Sequence, residues 1–250
     1  MSEVLRLSKF KLSVKDKTKE LNSRVLIDNT NSDLDFIINE KELVLIVGRN
    51  GSGKSTLVKE IIGLNNEYQG KDVSLSYENF MFNTKTSKLG IKDEVAIALN
   101  DSDLKLILDE SMSVKSFLND SLLGHFKEYK EEIGNYLNMF YGSNKNILKK
   151  KISKLSSGEQ KKLSILSALI KKNKKIYFFD EPMNCLDVDS MSIFIKCLAD
   201  LKEREPNAAI LIISHCLLFD KPDRVYKIAN QELVDYTKNY KKKDCLEEFN

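Results

Sequence analysis

An α/β fold with a largely parallel sheet is the fold class this sequence predicts, and three observations predict it. Leu43–Val47 is an unbroken apolar run that stops at Gly48, the pattern of a strand buried on both faces. Behind Gly53, the residues Leu57, Val58, Ile61 and Ile62 fall at helical spacing and end at Gly63, a residue suited to a helix C-terminus. Beyond residue 155, apolar runs and helical stripes alternate, the rhythm of parallel strands joined by crossover helices.

Element by element, Val4–Val14 alternates loosely as a strand, and Asp33–Ile38 is a second candidate. The charged, turn-rich stretch 15–22 separates them. After the buried strand and its helix, Val73–Tyr77 reads as another strand. From Glu78 to about Ser153 glycine and proline are scarce and apolar residues recur at three and four. The groups are Leu104, Ile107, Leu108; Val114, Phe117, Leu118; and Phe126, Tyr129, Ile133, Tyr136, Leu137. The expectation is an all-helical insert at 78–153. Leu163, Leu166, Leu169 and Ile170 form the next helical stripe, and Ile176–Phe179 a buried strand. Met191, Phe194, Ile195, Leu198 and Leu201 form a further helix, and Ala208–Ile213, Val225–Ile228 and Leu233–Tyr236 further strands. No internal repeat is visible, so 1–250 is expected to be a single domain.

Composition bounds what such a fold can do. The chain has 250 residues, 42% hydrophobic and 31% charged, which suffices for a sizeable core and excludes global disorder. Lys plus Arg is 40 against 37 Asp plus Glu, a net charge of +3, so no nucleic-acid partner is expected from bulk charge. Cys185, Cys197, Cys216 and Cys245 form no CxxC pair and are expected to be reduced thiols. The longest apolar run, Ala208–Ile213, is far below the roughly 18 residues that suggest a membrane span, so the chain is not expected to cross a membrane by itself.

The first string that carries chemistry is Gly48-Arg49-Asn50-Gly51-Ser52-Gly53-Lys54-Ser55, followed by Thr56, which satisfies G-x-x-x-x-G-K-[ST]. Glycines let the backbone curl so that successive N–H groups point at phosphate oxygens, and the helix that follows adds its positive end. Lys54 supplies a point charge for β- and γ-phosphates, and the Ser55 hydroxyl is a ligand for Mg²⁺. The loop therefore predicts ATP or GTP binding with Mg²⁺.

The second string is Lys175-Ile176-Tyr177-Phe178-Phe179-Asp180-Glu181, an apolar strand ending in two acids. Ligands of a parallel sheet collect at the carboxyl ends of its strands, which places Asp180 to hold Mg²⁺. Glu181 is then free to orient and polarise the water that attacks the γ-phosphate.

Three further strings select a class. Leu155-Ser156-Ser157-Gly158-Glu159-Gln160 resembles the LSGGQ signature of ATP-binding cassette (ABC) ATPases. Asn184-Cys185-Leu186-Asp187 resembles that family's D-loop, and Ile212-Ile213-Ser214-His215 its switch histidine. The resemblance covers nearly the whole chain. It implies a P-loop NTPase with a RecA-like core, an N-terminal antiparallel β subdomain and an inserted helical subdomain. It further implies head-to-tail pairs, in which Ser156, Ser157, Gly158 and Glu159 of one protomer cap the ATP held by the other. His215 would contact the γ-phosphate and Asp187 would couple the two sites.

Against the family pattern, Ser157 stands where a glycine is usual, and no glutamine follows Val73–Tyr77. Glu78 falls at that place and is expected near the metal. Phe10 is the candidate for the aromatic that stacks on adenine. By resemblance, the function is the ATPase subunit of a transporter whose permease subunits are separate membrane-spanning chains. It would sit on the cytoplasmic face of the membrane and export a peptide or an antibiotic. The alternative is a soluble ABC ATPase, for instance in cluster assembly.

Overall fold

The computed structural model describes residues 2–16, 23–64, 71–83, 91–142, 146–215 and 218–242. Most of the turn expected at 15–22, Cys216, Cys245 and the tail 243–250 lie outside the described residues.

The chain opens with β1 (Glu3–Ser8) and β2 (Lys11–Asp16), where the sequence suggested one strand. The break is at Lys9, whose φ of 45° turns the backbone left-handed and sends the two halves into different sheets. β3 (Ser23–Asp28) was not anticipated; β4 (Phe36–Asn39), β5 (Leu43–Gly48) and α1 (Lys54–Ile61) follow. β6 (Lys71–Ser76) and β7 (Asn79–Phe82) complete two antiparallel sheets, ordered β4-β1-β7 and β3-β2-β6.

The insert is not helical throughout. Among the described residues a single 3-10 turn, Ile91–Glu94, separates β7 from β8 (Val95–Ala98), and α2 (Asp101–Ile107), α3 (Val114–Ser121) and α4 (Lys130–Tyr141) come after β8. Asn100 caps α2 by accepting the Asp103 N–H at 3.0 Å, and Ser113 caps α3 through the Ser116 N–H. Val95–Ala98 is four residues long, too short for its period to separate strand from helix, and pairing with a neighbour decides it.

The last third holds α5 (Ser157–Leu169), β9 (Ile176–Asp180), α6 (Val188–Arg204), β10 (Ala209–Ile213), β11 (Arg224–Ala229) and β12 (Glu232–Asp235). The core sheet is ordered β12-β11-β5-β10-β9-β8 and is parallel except for the β11–β12 hairpin. β9 and β10 are buried at every position, as strands covered on both faces must be. Tyr226 on β11 joins this sheet to the N-terminal one. Its hydroxyl accepts the Ile37 N–H at 2.8 Å, and its ring meets Phe36 edge-on at 4.9 Å.

The register sets the site. Ile228 pairs with Gly48, Ile213 with both Ile46 and Asp180, and Ala98 with Phe179. The carboxyl ends of β5, β8, β9 and β10 therefore finish at one edge.

Candidate functional site

The loop after β5 leaves the sheet at Gly48 with φ 148°. A Cβ there would lie 2.7 Å from the Ile228 carbonyl oxygen, so only glycine allows β11 to pair at this point. The loop ends at Gly53, the N-cap of α1 with φ 101°. Ser52 N–H donates to Arg49 O at 3.2 Å, and Leu57 N–H to Gly53 O at 2.8 Å. Lys54 opens the helix and is 5% exposed. Its ammonium donates to the carbonyls of Gly48 at 2.8 Å and Arg49 at 3.1 Å, and lies 3.9 Å from Glu181 Oε1. Burial draws its pKa below the usual lysine range, against the pull of Glu181 and Asp180.

Asp180 is fully buried at the end of β9. Ser55 Oγ donates to its Oδ1 at 2.7 Å, and Asn100 Nδ2 to its Oδ2 at 2.7 Å. Lys59, on α1, brings its ammonium to 3.0 Å from the same Oδ2 and also pairs with Asp103. A buried carboxylate is tolerable only with such partners. Glu181 follows with φ 48°. Its Oε2 accepts the His215 N–H at 3.3 Å and lies 2.8 Å from His215 Nδ1.

These groups enclose a cavity of about 360 Å³. It is lined by Asn50, Gly51, Ser52, Gly53, Lys54, Ser55 and Thr56 of the loop and by Asn100, Asp101, Ser102, Glu181, Asn184 and His215. A second cavity of about 370 Å³ adjoins it and shares Asn50, Gly51 and Ser52. Gly48, Arg49, Arg24, Val25, Leu26 and the 227–231 hairpin also line it.

Two expected site residues are elsewhere. Phe10 is completely buried beneath the antiparallel sheets and lines neither cavity, so its ring is unavailable for stacking on a base. Glu78 is exposed in the joint between β6 and β7, where its carboxylate lies 3.9 Å from the Lys9 ammonium. β6 belongs to an antiparallel sheet, so its end does not reach the carboxyl edge of the parallel one. Asn100 stands after the strand that does, and sequence reading missed it. The available signal was Val95–Leu99, an apolar run closed by a polar residue as Ile176–Phe179 is closed by Asp180.

The signature string lies outside both cavities. Ser156 is the N-cap of α5 in a capping box. Its Oγ accepts the Glu159 N–H at 3.2 Å, and Glu159 Oε2 accepts the Ser156 N–H at 2.8 Å. Glu159 Oε1 also meets Lys150 at 3.2 Å, so this carboxylate is engaged within its own chain. Ser156 and Ser157 are exposed, which leaves the positive end of α5 facing outward. Gly158 abuts the D-loop: a Cβ on it would lie 2.8 Å from Cys185 O. Asp187 caps α6 through the Ser190 N–H at 2.7 Å and meets Lys162 at 3.0 Å.

A divalent ion suits this donor set. Among the described residues no cluster of three or more His, Cys, Asp or Glu forms a protein-only metal cage. Mg²⁺ characteristically takes only one or two protein oxygens beside phosphates and water, and Ser55 Oγ with Asp180 Oδ1 supplies such a pair.

The ABC transporter family model matches residues 31–184. The energy-coupling factor transporter ATP-binding protein EcfA of Malacoplasma penetrans is 30% identical over 76% of this chain, which spans 63% of that relative's length. The zinc import ATP-binding protein ZnuC of Rickettsia prowazekii is 27% identical, over 74% of this chain and 70% of the relative. The lipoprotein-releasing system ATP-binding protein LolD of Wigglesworthia glossinidia brevipalpis is 31% identical, over 89% of this chain and 94% of its own. Among solved structures, a dimeric bacterial ABC transporter cassette, MJ0796, superposes with a TM-score of 0.68 at 18% identity, covering 92% of this chain and 96% of its own. These names speak of zinc import, energy coupling and lipoprotein release and lend no support to the expected peptide or antibiotic exporter. With the phosphate loop, the paired acids and the signature helix all present on a cassette fold, this chain belongs to the ABC transporter family as an ATP-binding, ATP-hydrolysing subunit.

Proposed function

We propose that this chain, as a single cassette, binds Mg-ATP at the edge formed by β5, β8, β9 and β10, pairs head to tail with a second cassette, and drives separate membrane-spanning permease subunits. One observation carries the reading. Lys54, Ser55, Glu181 and His215 line one cavity, with the buried Asp180 bonded to Ser55, while the exposed Ser156 and Ser157 at the N-terminus of α5 lie outside it. A site split in this way is completed by a second copy, whose helix end supplies N–H donors to the γ-phosphate.

In the mechanism, the curled loop and Lys54 hold the β- and γ-phosphates. Ser55 and Asp180 would hold Mg²⁺, which when bound neutralises charge on the phosphate oxygens. Glu181 accepts a hydrogen bond from the attacking water, and His215 fixes the direction of that carboxylate. The water oxygen bonds to the γ-phosphorus as the bond to the β,γ-bridging oxygen breaks, which yields ADP and phosphate. The group gripped by both copies is then gone, and the pair separates.

Among the described residues no helix is long and apolar enough to cross a membrane; on this proposal the work of hydrolysis is delivered to other chains at the membrane's cytoplasmic face. The relatives named for zinc import and energy coupling favour a transporter over a soluble factor, and the one named for zinc import favours inward movement of a small solute. The test is Glu181→Gln with Mg-ATP in size-exclusion chromatography with light scattering. A dimer that forms with ATP and not with ADP supports the reading; a strict monomer with intact ATP binding refutes it.

A further inference from the structure

We infer that Lys161 is a positioning residue for ATP hydrolysis: its buried ammonium clamps the peptide that leads from Asp180 into Glu181 and ties it to the signature helix. The inference rests on the hydrolytic role proposed for Glu181.

Lys161 lies in the second turn of α5 and is completely buried. A buried lysine is rare unless every proton finds an acceptor, and an ammonium has three. Its Nζ donates to Asp180 O at 3.0 Å and to Leu99 O at 3.1 Å, and stands 3.6 Å from Asp101 Oδ1. The first two acceptors are backbone carbonyls just where β9 and β8 stop, the points at which a sheet runs out of ladder partners.

The Asp180 carbonyl and the Glu181 N–H belong to one peptide unit. Lys161 holds the carbonyl, and the Glu181 N–H donates to Ile213 O at 2.9 Å on β10. Both ends of the plane are thus fixed before the chain enters the left-handed φ of 48° at Glu181. A non-glycine residue persists in that region only where its surroundings over-determine it, and these two bonds do so. The outcome is the direction of the Glu181 carboxylate toward His215. The second carbonyl belongs to Leu99, next to Asn100, whose amide steadies Asp180.

The other lysines here do different work. Lys54 and Lys59 sit on α1: Lys54 donates to the Gly48 and Arg49 carbonyls of its own loop and lies 3.9 Å from Glu181 Oε1, and Lys59 pairs with the Asp180 carboxylate. Lys161 reaches the backbone from behind, from a helix whose first residues are Ser157 and Gly158. A displacement of that helix end by a partner is therefore passed to the peptide that aims Glu181.

The test compares Lys161→Met, which keeps the stem and removes every donor, with Lys161→Gln, a shorter donor. The readouts are kcat, KM and the Kd of a fluorescent ATP analogue, with circular dichroism reporting the fold. Misplacing a reacting group by a fraction of an ångström costs rate and not ground-state binding, so Lys161→Met is expected to lower kcat at least about 30-fold with Kd within about 3-fold of wild type. Lys161→Gln falls between the two, and carries the test alone if the methionine variant does not fold. Wild-type kcat in either folded variant, or a loss that appears in nucleotide Kd with kcat intact, overturns the inference. Glu181→Gln is measured alongside; if it turns over at the wild-type rate, the hydrolytic assignment itself fails, and that outcome is distinct from a failure at Lys161.

Discussion

His215 Nδ1 lies 2.8 Å from Glu181 Oε2, and the same oxygen accepts the His215 backbone N–H at 3.3 Å. An ionised carboxylate only accepts, so Nδ1 carries the proton and the tautomer of the ring is set by its neighbour. The acid and the histidine come from the ends of β9 and β10, which the pairing of Ile213 with Asp180 holds level. His215→Ala removes the ring that orients Glu181, and is expected to lower kcat by about 100-fold, the lower range for loss of acid–base alignment. Steady-state ATPase assays beside calorimetric ATP affinity check this; the affinity is expected to change little.

Lys54 and Phe10 make opposite predictions although both were expected to touch the nucleotide. Lys54 lines the cavity, so Lys54→Ala should weaken ATP binding by at least about tenfold in calorimetry, the loss of one charge-assisted contact. Phe10 is core, so Phe10→Ala should cost about 3–5 kcal/mol of stability in denaturant unfolding. The milder Phe10→Leu should leave ATP affinity unchanged.

Asn100 and Glu78 are distinguished by metal dependence. Asn100→Ala frees Asp180 Oδ2 from one donor and is expected to shift the Mg²⁺ concentration for half-maximal ATPase activity by about 10-fold or more, since partners of a carboxylate that holds a metal tune its affinity and Asp180 is proposed to hold this one. Glu78→Gln should leave the same titration unchanged, because that carboxylate faces Lys9.

Gly158 tests the outward helix end. In Gly158→Ala the new methyl meets the Cys185 carbonyl at 2.8 Å, and backbone cannot give way as a flexible side chain would. The expected result is a monomer that still binds ATP but no longer dimerises in a Glu181→Gln background, read by light scattering.

What the chain determines locally was legible without a structure. Gly48–Ser55 is a backbone bend that only certain residues permit, and Asp180-Glu181 is a pair of acids closing an apolar run; Leu155–Gln160 stood out by its resemblance to a family signature. The strands through Leu43–Gly48, Ile176–Asp180 and Ala209–Ile213 were legible for the same reason, since full burial writes continuous apolar runs. Tertiary structure alone decided which polar residue stands beside Asp180. Asn100 is there because β8 pairs with β9, and Glu78 is absent because β6 pairs with β2. It also buried Phe10 and brought Lys161 beneath the Asp180–Glu181 peptide. Strand order and helix docking are long-range choices, made by the free energy of the whole core, and no local period records them.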